Sequence, residues 1–485
     1  MAQAILEQAE EEREGVALLF EHDAHILVGI MAVLKAGKTY VPLDPDSPRE
    51  RLEYIVQDSQ ASAILTNDQN RSLAQALTSN TLRLINIDEI KLVASRDEIQ
   101  PTISADGIAY LLYTSGSTGQ PKAVIQNHRN VLHFIRNYTN NLHITANDRL
   151  TLLSSYSFDA AIMDIFGALL NGATLYPVNL KEESLSNLSS WLIQQEVTIY
   201  HSTPAVYRHW INTLAEEKFP KIRLVVLGGE SVYKDDVDKY RKHFSTNCIF
   251  INGLGPTEST VSLQYFINHQ TEFTHQAVPV GYPVEETEIF LLNEAGDETD
   301  IYGEIAIKSP YLALGYWQQP EITQAVFFTD EDNQRFYRSG DMGRLRVDGS
   351  IEFVGRKDFQ VKLRGFRIEL GEIEAVLSQH PAVQETVVML REKSADDKRL
   401  VAYWVPNQAS ATDTIELRHF LQEKLSDYMR PSAFVQIEAM PLTPNGKIDR
   451  RALPTPNQTR YDLEKTDCEF FDRVAVVIQN CLEQF

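Results

Sequence analysis

The chain has 485 residues, of which 43% are hydrophobic and 23% charged, a composition typical of a globular protein with two or three domains. Acidic residues outnumber basic ones by 67 to 45, and the formal net charge of -22 argues against nucleic acid or an anionic membrane as a general partner. The three cysteines lack paired spacing, which indicates neither a disulfide framework nor a zinc site and favours a reducing, cytoplasmic setting.

The first elements show no targeting or membrane signal. The opening MAQAILEQAEEEREG lacks the basic start of a signal peptide. The apolar run from Ile26 to Leu34 is too short to cross a bilayer, which takes about 20 residues, so it predicts a buried helix. The histidines form no HExxH pattern, and a tightly bound transition metal is not expected.

A loop rich in glycine and hydroxyl residues follows a strand-like run. The run is IAYLLY, the loop is YTSGSTGQPKAV, and the next stretch, NHRNVLHFIRNYTNNL, has helical spacing. Strand, glycine-rich loop and helix together are typical of a phosphate site, although a flexible turn has a similar composition. The loop is not a Walker P-loop, because Pro121 separates Gly119 from Lys122 and Ala123 follows the lysine.

The remaining elements predict two kinds of domain. Up to about Phe353, strand-like runs such as RLVVLGG, NCIFING and ETEIFLLN alternate with helical stretches such as DAAIMDIFGALLNG, as in α/β proteins. From Gly355 onward, strand-like ETVVML and LVAYWV and helix-like TIELRHFLQEKLSDYM predict a smaller α+β domain. LPTPNQTRYD is typical of a linker, and FFDRVAVVIQNCLEQF predicts one more helix.

Three later clusters carry side chains suited to nucleotide chemistry. INGLGPTES places Glu258 after a strand, where a carboxylate can bind Mg²⁺ on phosphates. YRSGDMGR places Asp341 where it can accept ribose hydroxyls, and PLTPNGKIDR presents Lys447 at an Asn-Gly turn. Each cluster alone is also compatible with an ordinary surface turn.

In their order along the chain, these stretches resemble the core motifs of adenylate-forming enzymes, most closely the amino-acid-activating adenylation domains of nonribosomal peptide synthetases. The motifs are LKAGKTYVPLDPDSP, YTSGSTGQPKAV, FDAAIMDIF, NGLGPTES, GEIAI, YRSGDMGR, GRKDFQVKLRGFRIELGEIE and PLTPNGKIDR. The resemblance spans about Gly15 to Leu453. It implies a large N-terminal α/β domain of several subdomains over residues 1–357, a small mobile α+β domain over 358–455, and a linker with the start of a further helix over 456–485.

The resemblance also implies the chemistry. A substrate carboxylate attacks the α-phosphate of MgATP to give an acyl adenylate and pyrophosphate, and the phosphopantetheine thiol of a carrier-protein partner then displaces AMP. The small domain rotates between the two half-reactions about a hinge at Asp358. Lys447 acts in the first, and the region around Gly365 serves the second.

Residue roles follow from the same resemblance. The phosphate loop comprises Thr114, Ser115, Gly116, Ser117, Thr118, Gly119 and Lys122. The adenine and ribose contacts comprise Gly229, Glu230, Ser231, Asn252, Gly253, Leu254, Asp341 and Arg356. Thr118, Thr257, Glu258 and Lys447 are the catalytic candidates, with Glu258 as the metal ligand.

The implied amino-acid pocket comprises Asp159, Ala160, Met163, His201, Val226, Gly228, Gly253, Val261 and Ser262, with Asp159 and Lys447 holding the substrate ammonium and carboxylate. The remaining positions carry no formal charge, which predicts a neutral amino acid of medium to large size with one polar or aromatic end. His201 leaves an acidic side chain open, since a protonated imidazole could accept it.

Three departures from the family pattern affect these expectations. Leu254 stands where the family usually has a tyrosine that stacks on adenine, so ATP is expected to bind more weakly. Ala123 replaces a common glycine. The segment that precedes VALLFEHDAHILVGIMAVLKAG in the family, with its first core motif, is missing, so activity is expected to need a partner or to be impaired.

Two other functions stay open from the sequence. An acyl-CoA or fatty-acid ligase of the same superfamily is disfavoured by Asp159, which amino-acid-selecting members keep for the substrate ammonium, although an aspartate there could also be a helix N-cap. A non-catalytic binding module is disfavoured by the presence of Glu258, Asp341 and Lys447.

Overall fold

The computed structural model describes residues 1–8, 15–78, 82–90, 101–116, 120–180, 185–394, 397–407, 412–441 and 448–456. The described α-helices, numbered in chain order, are α1 Ala2–Gln8, α2 Ala24–Lys35, α3 Arg49–Asp58, α4 Arg71–Leu77, α5 His128–Leu142, α6 Ala160–Leu169, α7 Leu185–Gln194, α8 Pro204–Ile211, α9 Lys234–His243, α10 Pro320–Val326, α11 Leu370–Leu377 and α12 Thr414–Lys424. The helix predicted between Ile26 and Leu34 is confirmed as α2. The helix predicted in FFDRVAVVIQNCLEQF lies outside the described residues.

The first sheet has the strand order β16-β6-β5-β2-β1-β3-β4. Its strands are β1 Gly15–Leu19, β2 Thr39–Leu43, β3 Ala63–Thr66, β4 Arg83–Asn86, β5 Ile108–Thr114, β6 Lys122–Asn127 and β16 Gly315–Tyr316. All residues of β1 and β2 are buried, as expected for parallel strands that are covered by helices on both faces.

The second sheet has the order β13-β12-β11-β10-β9-β7-β8. Its strands are β7 Arg149–Leu152, β8 Thr174–Pro177, β9 Ile199–Ser202, β10 Leu224–Gly228, β11 Ile249–Leu254, β12 Leu263–Ile267 and β13 Tyr282–Pro283. Helices α2, α5 and α6 pack between the two sheets and form one core with both of them. The parallel strands therefore end around a common crevice, where α/β proteins bind ligands.

The remaining strands form three smaller sheets. They are β14 Glu288–Leu292, β15 Tyr302–Lys308, β17 Phe327–Thr329, β18 Arg335–Leu345, β19 Ile351–Arg356, β20 Gln360–Leu363, β21 Phe366–Glu369, β22 Val383–Ser394, β23 Asp397–Pro406 and β24 Ala433–Gln436. Strands β14 to β19 without β16 form an antiparallel sheet, β20 and β21 form a hairpin, and β22 to β24 pack with α11 and α12 around a separate core. The predicted small α+β domain is thus present after β19.

The topology predicted at the glycine-rich loop is wrong. The loop is followed by β6, which pairs antiparallel with β5, and α5 begins only at His128. The segment KAVIQN is extended because Ala123 and Val124 are fully buried in the sheet and β16 adds to its other edge. The loop therefore connects two strands of a hairpin and does not lead into a helix N-terminus.

Candidate active site

A cavity of about 710 Å³ lies where the carboxyl ends of both parallel sheets meet the small domain. Thr114 and Ser115 contribute from the end of β5, and Gly228, Gly229 and Gly253 from the ends of β10 and β11. The turn of the β20–β21 hairpin closes one side. The cavity thus unites motifs that are far apart in the sequence.

Most of the predicted amino-acid pocket lines this cavity. These residues are Asp159, Ala160, Met163, His201, Val226, Gly228, Gly253 and Val261. Ser262 does not line the cavity: it is buried and its hydroxyl hydrogen-bonds the Ser259 hydroxyl at 2.8 Å. Sequence reasoning missed Tyr110 and Tyr138, two buried cavity residues whose hydroxyls have no hydrogen-bond partner among the described residues.

Asp159 precedes the first turn of α6, but its side chain makes no capping hydrogen bond. Its Oδ2 instead accepts a hydrogen bond of 2.7 Å from Thr257 Oγ1. Burial raises the pKa of Asp159, which Thr257 partly offsets and Glu258 reinforces. A desolvated carboxylate at a cavity wall favours a cationic ligand, such as an ammonium group.

A further aspartate, Asp164 on α6, which the sequence analysis did not single out, lies directly behind the pocket. Asp164 is fully buried, and its two carboxylate oxygens lie 3.0 and 2.9 Å from Nδ1 of His201. One charged residue inside the apolar stretch DAAIMDIF was the available signal. The hydrogen-bonding capacity of His201 Nδ1 is therefore used inside the protein.

Glu258 is fully buried, with two hydrogen-bond donors and one further cation around it. Arg367 Nη1 lies 2.7 and 3.0 Å from its two oxygens, Tyr316 OH donates at 2.6 Å, and Lys122 Nζ is 3.9 Å away. Burial acts to raise the pKa of Glu258, but the charges of Arg367 and Lys122 outweigh it and lower the pKa to about 2. Burial also lowers the pKa of Lys122 to about 8.

The carboxylate of Glu258 is the group here that could ligate a divalent cation carried by phosphates. No group of three or more acidic, histidine or cysteine side chains that could hold a metal occurs among the described residues. Mg²⁺ needs only one or two carboxylates when a substrate supplies phosphate oxygens. Glu258 is the candidate for such a carboxylate because it is ionised and buried, but Arg367 occupies both of its oxygens in this arrangement, so a metal ion could approach only after the guanidinium moves away.

The described part of the predicted phosphate loop contacts the small domain. Ser115 Oγ donates to the Arg367 carbonyl at 2.7 Å and accepts from the Glu369 amide at 3.2 Å. The Gly116 amide donates to Glu372 Oε2 at 3.2 Å. Ser117, Thr118, Gly119 and Lys447 lie outside the described residues.

Several residues assigned to adenine do not line the cavity. Leu254 is only 6% exposed and packs in an apolar cluster with Val124, Leu263 and Val280. Asn252 is buried and donates to the Pro279 carbonyl at 2.8 Å. Glu230 accepts from the Ala205 amide at 3.1 Å, and the Ser231 carbonyl accepts from Arg208. Of the adenine candidates, Gly229 lines the cavity and also lies next to the small domain. A Cβ added to Gly229 would lie 3.7 Å from the Gly365 carbonyl oxygen.

The two ribose candidates bind each other. Arg356 Nη1 lies 2.7 Å from Asp341 Oδ1, and Lys362 Nζ lies 3.4 Å from Asp341 Oδ2. Arg356 also makes a bidentate pair with Asp358, with Nε and Nη2 at 2.8 and 2.6 Å from its oxygens. The hinge candidate is therefore tied to the ribose candidate of the large domain.

Two family models match the chain: the one described as AMP-binding enzyme covers residues 1–317, and the one described as AMP-binding enzyme C-terminal domain covers residues 372–447. Bacitracin synthase 1 of Bacillus licheniformis is 38% identical over 91% of this chain, which spans 8% of that protein. Tyrocidine synthase 1 of Brevibacillus parabrevis is 36% identical over 95% of this chain, which spans 42% of that protein. The chain thus spans less than half the length of these curated relatives.

Solved structures agree with these matches. An artificially fused adenylation–PCP di-domain from Klebsiella oxytoca is 26% identical, with a TM-score of 0.77 over 89% of this chain and 86% of that one. A four-domain nonribosomal peptide synthetase bound to AMP and glycine is 31% identical, with a TM-score of 0.66 over 94% of this chain and 34% of that one. The predicted fold class, a large α/β domain with a small α+β domain, is confirmed. No helix among the described residues has the length and apolarity to cross a membrane.

Proposed function

Since this chain belongs to the AMP-binding enzyme family, we propose that it activates an amino acid with ATP and transfers it to the phosphopantetheine thiol of a carrier protein. The observation that carries the proposal is Asp159, a desolvated carboxylate at the cavity wall that is held by Thr257, the neighbour of Glu258 in the chain. An amino acid bound by its ammonium group at Asp159 would direct its carboxylate toward the phosphate loop. An acyl chain without an ammonium group would leave Asp159 buried without a cation, which is costly.

In the first half-reaction, a substrate carboxylate oxygen attacks the α-phosphorus of ATP, and the bond to the bridging oxygen of the β-phosphate breaks. The products are aminoacyl-AMP and pyrophosphate. Lys122, the loop hydroxyls and Lys447 offset the negative charge that develops. Glu258 is the candidate ligand for Mg²⁺, which neutralises phosphate charge when it is bound.

In the second half-reaction, the carrier thiol sulfur attacks the aminoacyl carbonyl carbon, the bond to the AMP oxygen breaks, and the thiol proton is released. The position of the small domain supports the assignment of this domain arrangement to the second half-reaction. Gly365 packs against Thr203 and Gly229 at the cavity, and Arg367 covers the carboxylate assigned to the metal. We assign residues 358–455 to the domain that rotates about Asp358, and residues 456–485 to a linker and the start of a further helix.

The side-chain pocket supports a neutral substrate of medium to large size. Gly228 and Gly253 leave room for a side chain, and Met163, Val226 and Val261 supply apolar surface.

The three cysteines without paired spacing agree with a reducing, cytoplasmic setting.

Pyrophosphate exchange into ATP, measured with each proteinogenic amino acid in turn, tests the proposal. We expect exchange with one or a few neutral amino acids, and Asp159→Ala should abolish it while ATP binding, measured by calorimetry, is retained. Asp148→Asn serves as a control for loss of a buried aspartate outside the cavity. Exchange with a fatty acid but no amino acid would overturn the proposal, and a preference for Asp, Glu, Lys or Arg would overturn the neutral pocket.

A further inference from the structure

The pocket residue His201 pairs with a buried carboxylate, Asp164, that has no assigned role in the pocket. Asp159 immediately precedes α6 and Asp164 lies five residues later on the helix, so the two carboxylates leave the chain in different directions. Asp159 points to Thr257, whereas Asp164 lies 2.9 and 3.0 Å from Nδ1 of His201. Asp164 is 0% exposed and His201 2% exposed.

Asp164 has few other groups to compensate its charge. Burial raises the pKa of Asp164. His201 acts against this rise through its charge and its hydrogen bond, and the charge of His22 also acts against it. Tyr138 is the other titratable group that interacts with Asp164, and its hydroxyl has no hydrogen-bond partner among the described residues. An isolated buried carboxylate is strongly unfavourable, so the His201 contact is what makes an aspartate tolerable at this position.

The pair has one side inside the protein and one side at the cavity. His201 lines the cavity and Asp164 does not. A carboxylate at Nδ1 holds a proton on that nitrogen and orients the ring, as outer carboxylates do for functional histidines in general. Nε2 has no hydrogen-bond partner among the described residues.

We propose that Asp164 is a positioning residue for substrate selection: it orients His201 and sets its tautomer, so that Nε2 hydrogen-bonds a polar group near the end of the substrate side chain. This inference rests on the proposed function, because it assigns the selecting contact of the same pocket. The substrate class is an amino acid whose side chain ends in a hydrogen-bonding group, and wholly aliphatic side chains are discriminated against. A site built to hydrogen-bond a substrate rejects the analogue that lacks the bond, because a buried polar group would be left unpaired.

Selectivity between side chains of similar size tests the inference. Pyrophosphate exchange is measured with glutamine against methionine and with threonine against valine, in the wild type and in Asp164→Asn. We expect the wild type to favour the polar member of at least one pair. Asp164→Asn should raise the KM for that amino acid and reduce the preference by about tenfold or more, with the KM for ATP unchanged.

Asp148→Asn is the matched control, because Asp148 is also buried but its partners, Arg223, Thr145 and Thr198, lie outside the cavity. It should leave both KM values unchanged even if it lowers stability. An unchanged side-chain preference in a folded Asp164→Asn variant would overturn the inference while leaving the proposed function intact. Absence of exchange with every amino acid in the wild type would instead overturn the proposed function.

Nitrogen-15 NMR of the histidines in the wild-type protein keeps the inference testable if Asp164→Asn does not fold. We expect Nδ1 of His201, assigned by its loss in His201→Gln, to carry a proton. A signal for unprotonated Nδ1 would overturn the inference. The substrate that exchange identifies should then shift the Nε2 resonance, and no shift on saturation would also contradict the assigned contact.

Discussion

Asp341 and Arg356, the two residues proposed to hold the ribose, are both bound by neighbouring side chains. Arg356 binds one oxygen of Asp341, and Lys362 of the small domain approaches the other oxygen. Because Lys362 moves with the small domain in the proposed rotation, its departure would leave that oxygen for a ribose hydroxyl. The ribose contact would then depend on the position of the small domain.

Replacing Leu254 with tyrosine is expected to lower stability. The side chain is buried among Val124, Leu263 and Val280, and the larger ring must displace packed neighbours. We expect a loss of about 1–3 kcal/mol in the free energy of unfolding by urea, and Leu254→Met, which conserves volume, should cost less. Unchanged stability together with tighter ATP binding would show instead that this side chain reaches adenine, as the motif implies.

Asp148 should contribute to stability in a pH-dependent way. Burial acts to raise its pKa, but hydrogen bonds from Arg223, Thr145 and Thr198 outweigh it, so the pKa lies below its ordinary value of 3.8. A lowered folded-state pKa means that the stabilisation is present above the unfolded value and is lost as pH falls through the folded value. The stability difference between the wild type and Asp148→Asn, from urea unfolding at several pH values, should shrink below about pH 4. The exposed Asp300→Asn should show no such trend, and a constant difference for Asp148→Asn would contradict the assignment.

Among the secondary-structure elements of the small domain, the β20–β21 hairpin lines the cavity with Arg364, Gly365, Phe366 and Arg367. Leu363 and Phe366 pair across a two-residue turn, in which Arg364 and Gly365 have φ of +54 and +81, the geometry that favours glycine. Next to the turn, Phe366 stacks on Tyr428 with centroids 4.1 Å apart and meets Phe158 of the large domain at 5.0 Å. The hairpin therefore docks through one small residue and one aromatic cluster.

Gly365→Ala should disrupt this docking. The alanine Cβ would lie 2.1 Å from Thr203 Cγ2, so the hairpin must move away. We expect slower aminoacyl transfer to a carrier protein from supplied aminoacyl-AMP, with pyrophosphate exchange largely retained. Gly296→Ala is the matched control, because its φ is also positive, +90, but nothing lies within 4 Å of the position that its Cβ would take. Equal effects of the two variants would mean that backbone strain and not the contact with Thr203 matters.

At the scale of the whole molecule, ion pairs connect the large and the small domain, and these pairs differ in how deeply they are buried. Arg367 reaches the fully buried Glu258, and Arg51 pairs with Glu372 at 3.2 Å with both side chains buried. Lys424 and Glu50 pair at 3.1 Å near the surface. Since buried, hydrogen-bonded pairs lose far more on truncation than exposed ones, Arg367 and Arg51 should contribute more to the stability of this arrangement than Lys424.

Arg367→Ala is expected to shift the balance between the half-reactions. It leaves Glu258 with Tyr316 and Lys122 only, so the docked arrangement should lose about 2–5 kcal/mol and thioester formation should slow relative to adenylate formation. Lys424→Ala, which removes the exposed pair, should change the ratio little. Single-turnover rates of both steps measure this, and an unchanged ratio in Arg367→Ala would contradict the role of the pair.

Lys447→Ala tests the opposite arrangement. We expect loss of adenylate formation with thioester formation from supplied aminoacyl-AMP spared, because the proposed role of Lys447 is confined to the first step. Equal loss in both half-reactions would contradict the domain rotation. Asp358→Pro should favour one half-reaction over the other, since it removes the bidentate contact with Arg356 and stiffens the backbone.

The sequence by itself determined the elements whose pattern is local and the residues that meet at the ends of parallel strands. The apolar run from Ile26 to Leu34 predicted α2, and the resemblance of the motifs to adenylation domains assigned Asp159, Gly228 and Gly253 to one pocket. Gly228 and Gly253 meet there because neighbouring parallel strands end at the same edge of a sheet. These features depend on short-range backbone preferences and on strand direction, both of which a sequence pattern records.

Only the tertiary structure decided which partners the polar groups take. KAVIQN became a strand because burial and pairing with β5 outweighed the helical pattern that follows it. Leu254 packs in an apolar cluster, and Asp164 of α6 pairs with His201 of β9. Glu258 pairs with Arg367, which is 109 residues away along the chain. Such pairings minimise unpaired charge and empty volume in three dimensions, and the motif spacing that identifies each residue carries no information about the side chain opposite it.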